Sequence, residues 1–222
     1  MSPSSTSSPS EAPLALLRPA RLVPLLQIDD VADAVPLART FVEAGLPVLE
    51  VALRTRAAPD AIKAIRAEVA GAVPIAGNIM TAHDLAIARR AGALMAVSPG
   101  ASDELLKAAS EQDLPFMPGI ATPTELMHVI SRGFHVVKFF PAAPMGGSAT
   151  LKAMAAPFPR VRFYPTGGTS ELDFADWIGL QNVIAVGGSW LAPIDEIRRK
   201  DWDHIAKRAR YMVSQFAGKR EG

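Results

Sequence analysis

The chain has 222 residues, of which 49% are hydrophobic and 20% charged, proportions that suit one globular domain with a sizeable core. Lys and Arg number 23 against 22 Asp and Glu, and this near balance gives no support for nucleic acid or an acidic membrane as a partner. The absence of cysteine excludes disulfides, thiolate nucleophiles and iron–sulfur sites, and it agrees with a cytoplasmic location. No apolar run approaches the roughly 20 residues that span a bilayer.

A Ser/Pro-rich segment opens the chain, MSPSSTSSPSEA at residues 1–12. Its small apolar surface cannot offset the entropy lost on ordering, so we expect a disordered tail followed by one catalytic domain over residues 13–222. A secretory signal would need an early positive charge and a longer apolar stretch than LALL at 14–17. A Ser-rich organelle transit peptide is an alternative, although no arginine precedes Arg18.

From residue 22 onward, short apolar runs alternate with longer segments of helical period. The runs typical of buried strands are 22–27, 47–54, 73–78, 93–100, 114–119, 134–140, 161–168 and 182–190. The segments that predict helices are 31–45, 58–71, 81–92, 102–112, 122–133, about 147–156 and the remainder to 216. Capping-box spacing marks helix starts at Thr81 and Asp84, at Thr122 and Glu125, and at Ser170 and Asp173.

Eight buried strands, each followed by a helix, predict a single-domain α/β fold of the (β/α)8 TIM barrel type. The alternative is a doubly wound open sheet, which usually has fewer strands and a glycine fingerprint after the first strand. The segment that follows the first strand here, IDDVAD at 28–33, has no glycine. We therefore favour the barrel, in which catalytic side chains project from the carboxyl ends of the strands.

One charge interrupts the sixth predicted strand. Lys138 is the only fully charged residue in the apolar run from Phe134 to Phe140, which Pro141 ends. An isolated buried ammonium costs several kcal/mol unless it is paired or gives up its proton. Lys138 is therefore either a structural charge or a reactive amine. The other lysines lie in helical or terminal polar patterns.

Strand alternation places two further charges in the same interior as Lys138. Positions 49, 51 and 53 of the second strand are apolar and suit the helices, so Glu50 and Arg54 face inward. A guanidinium binds a carboxylate through two parallel hydrogen bonds, and an amine beside another cation in a dry pocket can attack a carbonyl. The structural alternative is an inert ion network, in which Lys138 and Arg54 neutralise Glu50.

Glycine pairs follow the last two predicted strands, in TGG at 166–168 and GGS at 187–189. The loops after strands seven and eight of a barrel frequently bind phosphate through exposed backbone N–H groups. We expect a phosphate site there, to which Ser189 can add a hydroxyl, although glycine after a strand is also ordinary turn chemistry. The four histidines show no ligand-like spacing, so we expect no metal site.

Six motifs resemble those of the 2-keto-3-deoxy-6-phosphogluconate aldolases, a family that also includes enzymes acting on 4-hydroxy-2-oxoglutarate. They are LEVALRT at 49–55, AVSPG at 96–100, PGIATPTELM at 118–127, VKFFPA at 137–142, FYPTGG at 163–168 and VGGSWL at 186–191. They occur in the order typical of the family. The similarity runs from about residue 22 to the C-terminal helix and leaves out only the tail.

The resemblance implies roles for individual residues. Lys138 would form a Schiff base with the substrate, and Glu50 would be the general acid and base. The implied substrate-binding residues are Arg54 for the pyruvyl carboxylate, Pro99 and Phe140 for the walls of the pyruvate pocket, Thr166 for hydroxyl stereochemistry, and Gly167, Gly168 and Ser189 for the phosphate, with Gly188 beside them. The chain departs from the family at Asn78, where relatives commonly have a threonine that helps bind the carboxylate. The Asn78 amide still offers donors.

The resemblance thus implies a class I aldolase that cleaves 2-keto-3-deoxy-6-phosphogluconate (KDPG) to pyruvate and glyceraldehyde 3-phosphate. It also implies a homotrimer of barrels that needs neither a metal nor an organic cofactor. The alternatives are a preference for 4-hydroxy-2-oxoglutarate, an isomerase or epimerase that uses Glu50 as a base, and a non-catalytic barrel that binds keto acids or sugar phosphates. An isomerase or epimerase needs no amine in the sixth strand, so Lys138 argues against it, and the presence of all three charged residues argues against the non-catalytic barrel.

Overall fold

A computed structural model describes residues 9–216, which begin with a turn and the helix α1 (Glu11–Leu17). The first two residues of α1 therefore belong to a helix and not to the tail predicted over residues 1–12, and residues 1–8 of that prediction lie outside the described residues. Ser10 anchors the start of this helix, because its hydroxyl donates to the Gly133 carbonyl at 3.1 Å and accepts from the His135 N–H at 2.7 Å.

The strands are short and all of their pairings are parallel. They are β1 (Leu22–Leu26), β2 (Val48–Ala52), β3 (Val73–Gly77), β4 (Ala96–Val97), β5 (Phe116–Met117), β6 (Gly119–Ile120), β7 (Val136–Phe139), β8 (Arg162–Pro165) and β9 (Val186–Gly188). The fifth predicted strand is divided at Pro118 into β5 and β6, since proline has no N–H to give to a ladder.

Helices follow the strands, as the sequence predicted. They are α2 (Ala34–Glu43), α3 (Ala58–Glu68), α4 (Ala82–Arg90), α5 (Asp103–Ser110), α6 (Pro123–Ile130), α7 (Gly147–Met154), α8 (Phe174–Ile178), α9 (Ile194–Arg198) and α10 (Trp202–Phe216). Between residues 9 and 216, no helix has the length and apolar character needed to cross a membrane.

Two of the three predicted capping boxes are present, at 81–84 and at 122–125, and each satisfies backbone N–H groups in both directions. The prediction that Ser170 caps a helix is wrong. Helix α8 begins at Phe174, and the Asp173 carboxylate accepts from both the N–H and the hydroxyl of Ser170. Asp173 therefore fixes the turn that precedes the helix.

The sheet is curled and pairs in two parts. Its strands follow the orders β5-β4-β3-β2-β1-β9 and β6-β7-β8. A single parallel bridge between Phe163 and Val183 joins β8 to the segment that precedes β9. Over the described residues the pairing gives an α/β fold with a curled parallel sheet, and not one continuous ladder of eight strands.

Two apolar clusters lie on opposite faces of the strands. The larger packs the helices against the outer face and contains Leu49 and Val137, as strand alternation predicted. The smaller fills the inner face with side chains such as Val48 and Val136. Leu17 of α1 is fully buried in this inner cluster, so α1 covers the end of the interior at which the strands begin.

Candidate active site

Two inward-facing charges meet inside the curled sheet, Glu50 from β2 and Lys138 from β7. Lys138 Nζ donates to Glu50 Oε1 at 2.8 Å, and the two side chains are only 6% and 3% exposed. Removing either partner would leave a buried charge without compensation. The inward orientation that alternation predicted for both residues is therefore confirmed.

A tyrosine completes this buried group. Tyr164 is the β8 neighbour of Lys138 in the strand register, and its hydroxyl donates to Glu50 Oε2 at 2.8 Å. Burial raises the pKa of the Tyr164 phenol well above its usual value, and the negative charge of Glu50 and their hydrogen bond act in the same direction. Tyr164 is not among the site residues predicted from the sequence. The signal was available, because alternation places residue 164 on the same face as Thr166.

Aromatic rings lie close to the ammonium group. Lys138 Nζ is 5.7 Å from the centroid of the Phe140 ring and 6.0 Å from that of Tyr164. Rings at this range attract a cation through their quadrupole. Phe140 follows Lys138 by two residues and so turns into the same interior, as predicted.

The Lys138–Glu50 pair lies at the bottom of a solvent-open pocket of about 650 Å³. Nine of the predicted site residues line it, namely Glu50, Arg54, Asn78, Pro99, Lys138, Phe140, Gly167, Gly168 and Ser189. Three further residues line the pocket that were not predicted from the sequence, namely Gln27, Thr169 and Trp190. The residues brought together come from the carboxyl ends of several strands, which is where barrel enzymes have their active sites.

Two predicted site residues lie beside the pocket and not in its lining. Thr166 is fully buried, and its hydroxyl has no hydrogen-bond partner in the described part of the chain. Gly188 faces the indole ring of Trp190, which occupies the space next to the glycine α-carbon. The contributions of Thr166 and Gly188 to substrate binding therefore stay predictions.

Arg54 and Asn78 form a contact at the rim of the pocket. Arg54 Nε donates to Asn78 Oδ1 at 3.3 Å, and the Arg54 side chain is exposed. Asn78 has a φ of 60°, a left-handed backbone conformation that asparagine tolerates better than most residues. The predicted network in which Arg54 neutralises Glu50 is corrected here, because Lys138 and Tyr164 occupy the two oxygens of Glu50.

Part of the pocket lining, called here the glycine-rich end, contains Gly167, Gly168 and Ser189. Gly167 and Gly168 have φ values of 89° and 79°, the left-handed region that favours glycine. Ser189 begins a short 3-10 turn after β9. Backbone N–H groups in such turns can surround an anion. Gly187 differs from these, because the Tyr164 hydroxyl occupies the space where a side chain of residue 187 would lie.

The histidines lie outside this pocket lining. His128 Nε2 is 3.0 Å from Asp103 Oδ1 at the surface, and His204 Nδ1 is 3.8 Å from Asp201 Oδ2. Among the side chains of residues 9–216, no group of three or more His, Cys, Asp or Glu could hold a metal ion. The polar side chains that line the described pocket carry an amine, a carboxylate, a guanidinium, amide groups and hydroxyls.

A buried amine–carboxylate pair below an exposed guanidinium defines the site of an α/β enzyme that acts on small polar molecules. An aldolase family model, described as KDPG and KHG aldolase, matches residues 14–208. The chain belongs to this family and is an aldolase, a carbon–carbon lyase. The resemblance that the six motifs indicated is confirmed.

Relatives with the same family description align with about nine-tenths of the chain. It is 45% identical over 197 residues to the 2-dehydro-3-deoxy-phosphogluconate aldolase of Pseudoalteromonas atlantica, covering 89% of this chain and 92% of the relative. It is 44% identical over 199 residues to the KHG/KDPG aldolase of Escherichia coli, covering 90% and 93%. Among solved structures, KDPG aldolase from Legionella pneumophila with pyruvate captured as a covalent carbinolamine superimposes with a TM-score of 0.87 at 36% identity, covering 90% of this chain and 97% of that one.

Proposed function

We propose that this chain is a class I aldolase that cleaves KDPG to pyruvate and glyceraldehyde 3-phosphate through a Schiff base on Lys138, and that condenses pyruvate with aldehydes in reverse. The observation that carries the proposal is the 2.8 Å contact between Lys138 Nζ and Glu50 Oε1 at the bottom of an open pocket. An amine is thus paired with a group that can take its proton. The carbinolamine in the Legionella pneumophila structure supports the covalent route.

Schiff-base formation begins with a proton transfer. Lys138 gives a proton to Glu50 Oε1, and the neutral amine attacks the C2 ketone. Glu50 donates its proton to the ketone oxygen as the C–N bond forms, and takes the surplus proton from the nitrogen. It then protonates the departing hydroxyl, so that water leaves and an iminium cation remains beside the carboxylate.

Carbon–carbon cleavage uses the iminium as an electron sink. Glu50, directly or through a water molecule, removes the proton of the C4 hydroxyl, and the C3–C4 electron pair moves to form an enamine as glyceraldehyde 3-phosphate departs. Glu50 then returns a proton to C3. Hydrolysis of the iminium releases pyruvate and restores Lys138, so one carboxyl group moves every proton.

The two ends of the substrate match the two ends of the pocket. Arg54, with Asn78, binds the carboxylate and so holds C2 against the amine, a positioning effect that can be worth several kcal/mol. Gly167, Gly168 and Ser189 bind the phosphate. The remaining predicted roles are those of Pro99 and Phe140 as walls of the pyruvate pocket, Thr166 in hydroxyl stereochemistry and Gly188 beside the phosphate.

The glycine-rich end favours a phosphorylated substrate over 4-hydroxy-2-oxoglutarate, which has no phosphate. An isomerase or epimerase would not need a buried amine, and a non-catalytic binder would not need one paired with a carboxylate. Initial rates with both keto-hydroxy acids test the preference. A higher kcat/KM for 4-hydroxy-2-oxoglutarate would contradict the assignment of KDPG as the main substrate.

We also propose that residues 13–222 form one cytoplasmic domain, that its strands close into a (β/α)8 barrel, and that three copies assemble. The Phe163–Val183 bridge supports closure on one side, and the proximity of β5 and β6 in the chain supports it on the other. The molar mass measured by light scattering after size-exclusion chromatography tests whether three copies assemble. A particle with the mass of one chain would contradict the trimer.

Trapping with borohydride tests the covalent route. We expect incubation with pyruvate and borohydride to add one reduced adduct to the intact mass and to locate it on Lys138 by peptide mapping. Lys138→Met should give no adduct, whereas Lys152→Met, at an exposed lysine of α7, should be labelled as fully as the unmodified protein. An unchanged mass for the unmodified chain would refute the Schiff base.

A further inference from the structure

Both oxygens of the Glu50 carboxylate have a donor of their own. Lys138 Nζ donates to Oε1 at 2.8 Å and the Tyr164 hydroxyl donates to Oε2 at 2.8 Å. Tyr164 has no exposed surface, and Glu50 is 2% exposed. With the two hydrogen bonds in place, the carboxylate plane cannot rotate without breaking one of them. The tyrosine has no part in the chemistry proposed so far.

Two glycines leave room for this pair. A Cβ atom on Gly77 of β3 would overlap the Glu50 carboxylate, and one on Gly187 of β9 would overlap the Tyr164 hydroxyl. Gly77 lies on the strand beside Glu50, and Gly187 lies on the strand that follows Tyr164 in the chain. The contact between Glu50 and Tyr164 therefore depends on small residues on two different strands. If Tyr164 served only to fill the interior with its ring, no space around its phenol oxygen would be needed.

We propose that Tyr164 is a positioning residue of the aldolase reaction, which holds Glu50 with Oε1 directed at the Lys138 amine and stabilises the ionised carboxylate at each point in the cycle where Glu50 has lost its proton. The proposal rests on the proposed function of Glu50. Tyr164 is not part of the pocket lining, and it acts through its hydrogen bond to Glu50.

The environment of the phenol suits this task. A donor is useful only if it keeps its proton while the neighbouring carboxyl group gains and loses one. Burial, followed by the charge of Glu50 and their hydrogen bond, raises the pKa of the Tyr164 phenol well above its usual value. Tyr164 therefore remains a donor, and the mobile proton stays with Glu50 and Lys138.

Tyr164→Phe keeps the ring and removes only the hydroxyl. A hydrogen bond to a charged group contributes enough energy for its loss to lower kcat by about 10- to 100-fold, while KM changes little because Arg54 and the glycine-rich end are intact. Without the Tyr164 hydroxyl, the ionised Glu50 carboxylate is less stable. The acidic limb of the profile of kcat against pH should therefore move to higher pH. A residue that serves packing alone would leave this limb in place.

The chain supplies a matched control, since Tyr211 is its only other tyrosine and is 51% exposed. Tyr211→Phe should leave kcat, KM and the pH profile unchanged. In a Glu50→Gln background, Tyr164→Phe should cause little further loss of kcat, because the group through which it acts is already altered.

If Tyr164→Phe does not fold, 3-fluorotyrosine in the Tyr211→Phe variant gives a second measurement. Tyr164 is then the only tyrosine, and fluorination makes its hydroxyl a stronger donor with little change in shape. We expect the acidic limb to move to lower pH. The positioning role would be overturned if fluorination left the acidic limb of the kcat profile unchanged. It would also be overturned if Tyr164→Phe had the kcat and pH profile of the unmodified protein. Failure of borohydride trapping on the unmodified protein would instead overturn the proposed function.

Discussion

Arg54 donates through Nε to Asn78 Oδ1, at 3.3 Å, so the cation that faces the pocket opening is held from the end of the neighbouring strand. Asn78 has a φ of 60°, where a β-branched side chain is strained. A threonine at this position would therefore fit poorly on this backbone. Asparagine satisfies the backbone and offers an acceptor to Arg54 at the same time.

This contact predicts different effects for two substitutions of Asn78. Asn78→Gly keeps the left-handed backbone but removes the acceptor, so KM for the keto acid should rise while the melting temperature changes little. Asn78→Thr should instead lower the free energy of unfolding by about 1–3 kcal/mol through backbone strain. Steady-state kinetics and thermal unfolding of both variants check this, and an equally stable Asn78→Thr protein would contradict the strain argument.

Arg54→Ala should mainly weaken binding of the substrate carboxylate. Loss of a charge-assisted bidentate contact is expected to raise KM by about 10- to 100-fold, with a smaller fall in kcat. Arg56→Ala is the matched control, because Arg56 is exposed in the same loop but does not line the pocket. Equal effects of the two substitutions on KM would refute the specific role of Arg54.

Lys138→Met should abolish turnover and also destabilise the fold. The substitution removes the amine that attacks the substrate and leaves the Glu50 carboxylate buried without its cationic partner, a change that typically costs about 3–5 kcal/mol. Lys138→Met combined with Glu50→Gln should recover much of the lost stability without recovering activity. Urea unfolding of the single and double variants measures this, and no recovery would mean that the charge of Glu50 is not the cause.

Glu50→Gln should slow turnover by about 100- to 10,000-fold, the usual contribution of a general acid and base. The amide is nearly the same size, and the keto acid should still bind because Arg54 is untouched. Single-turnover measurements with excess enzyme separate the chemical steps from product release. Unimpaired cleavage by Glu50→Gln would assign the proton transfers to another group.

An ion pair joins helix α10 to helix α9, and its contribution to the stability of the fold depends on pH. Arg208 forms two hydrogen bonds to the Glu196 carboxylate, at 2.9 and 2.7 Å, and also donates to the Leu191 carbonyl. The hydrogen bonds from Arg208 lower the pKa of Glu196 in the folded chain, so their stabilisation is present above the ordinary value near 4.5 and is lost as pH falls through the lowered pKa.

Arg208→Met should therefore lower the melting temperature at neutral pH, by about 2–4 °C for each kcal/mol lost in a chain of this length. The difference from the unmodified protein should shrink below pH 4.5. Calorimetric scans over a pH series provide the measurement. A constant difference across the series would show that Arg208 contributes by packing and not by its charge.

Strand alternation was sufficient to predict that Glu50 and Lys138 face inward, because a helix-covered strand must keep its outer side apolar. It did not predict which charges pair. Arg54 lies in the turn that follows β2, and Asn78 has a left-handed φ just after β3, and a periodic pattern does not describe such irregular backbone. Tyr164 was overlooked because an apolar ring in a buried strand is ordinary core, and only the position of its hydroxyl distinguishes it.

The starts of helices and the breaks in strands were predicted less consistently. The boxes at 81–84 and 122–125 were predicted correctly, since both halves of each motif lie within one turn. Ser170 and Asp173 have the same spacing, but the helix begins after Asp173. Pro118 divides a strand that appears continuous as an apolar run, and the helix α1 lies in a segment that composition partly assigned to the tail.

Helix α1 buries its own Leu17 side chain in the inner cluster, so the molecule has a closed face at α1 and an open face at the pocket. Ser10 is bonded to Gly133 and His135, just before β7 begins, whereas the pocket lies where the strands end. Aldehydes and keto acids therefore enter and leave by the same opening, and the first product must depart past the second. A support attached at an exposed residue of α1, such as Glu11, would lie on the closed face, so enzyme immobilised there should retain the kcat/KM of the free protein.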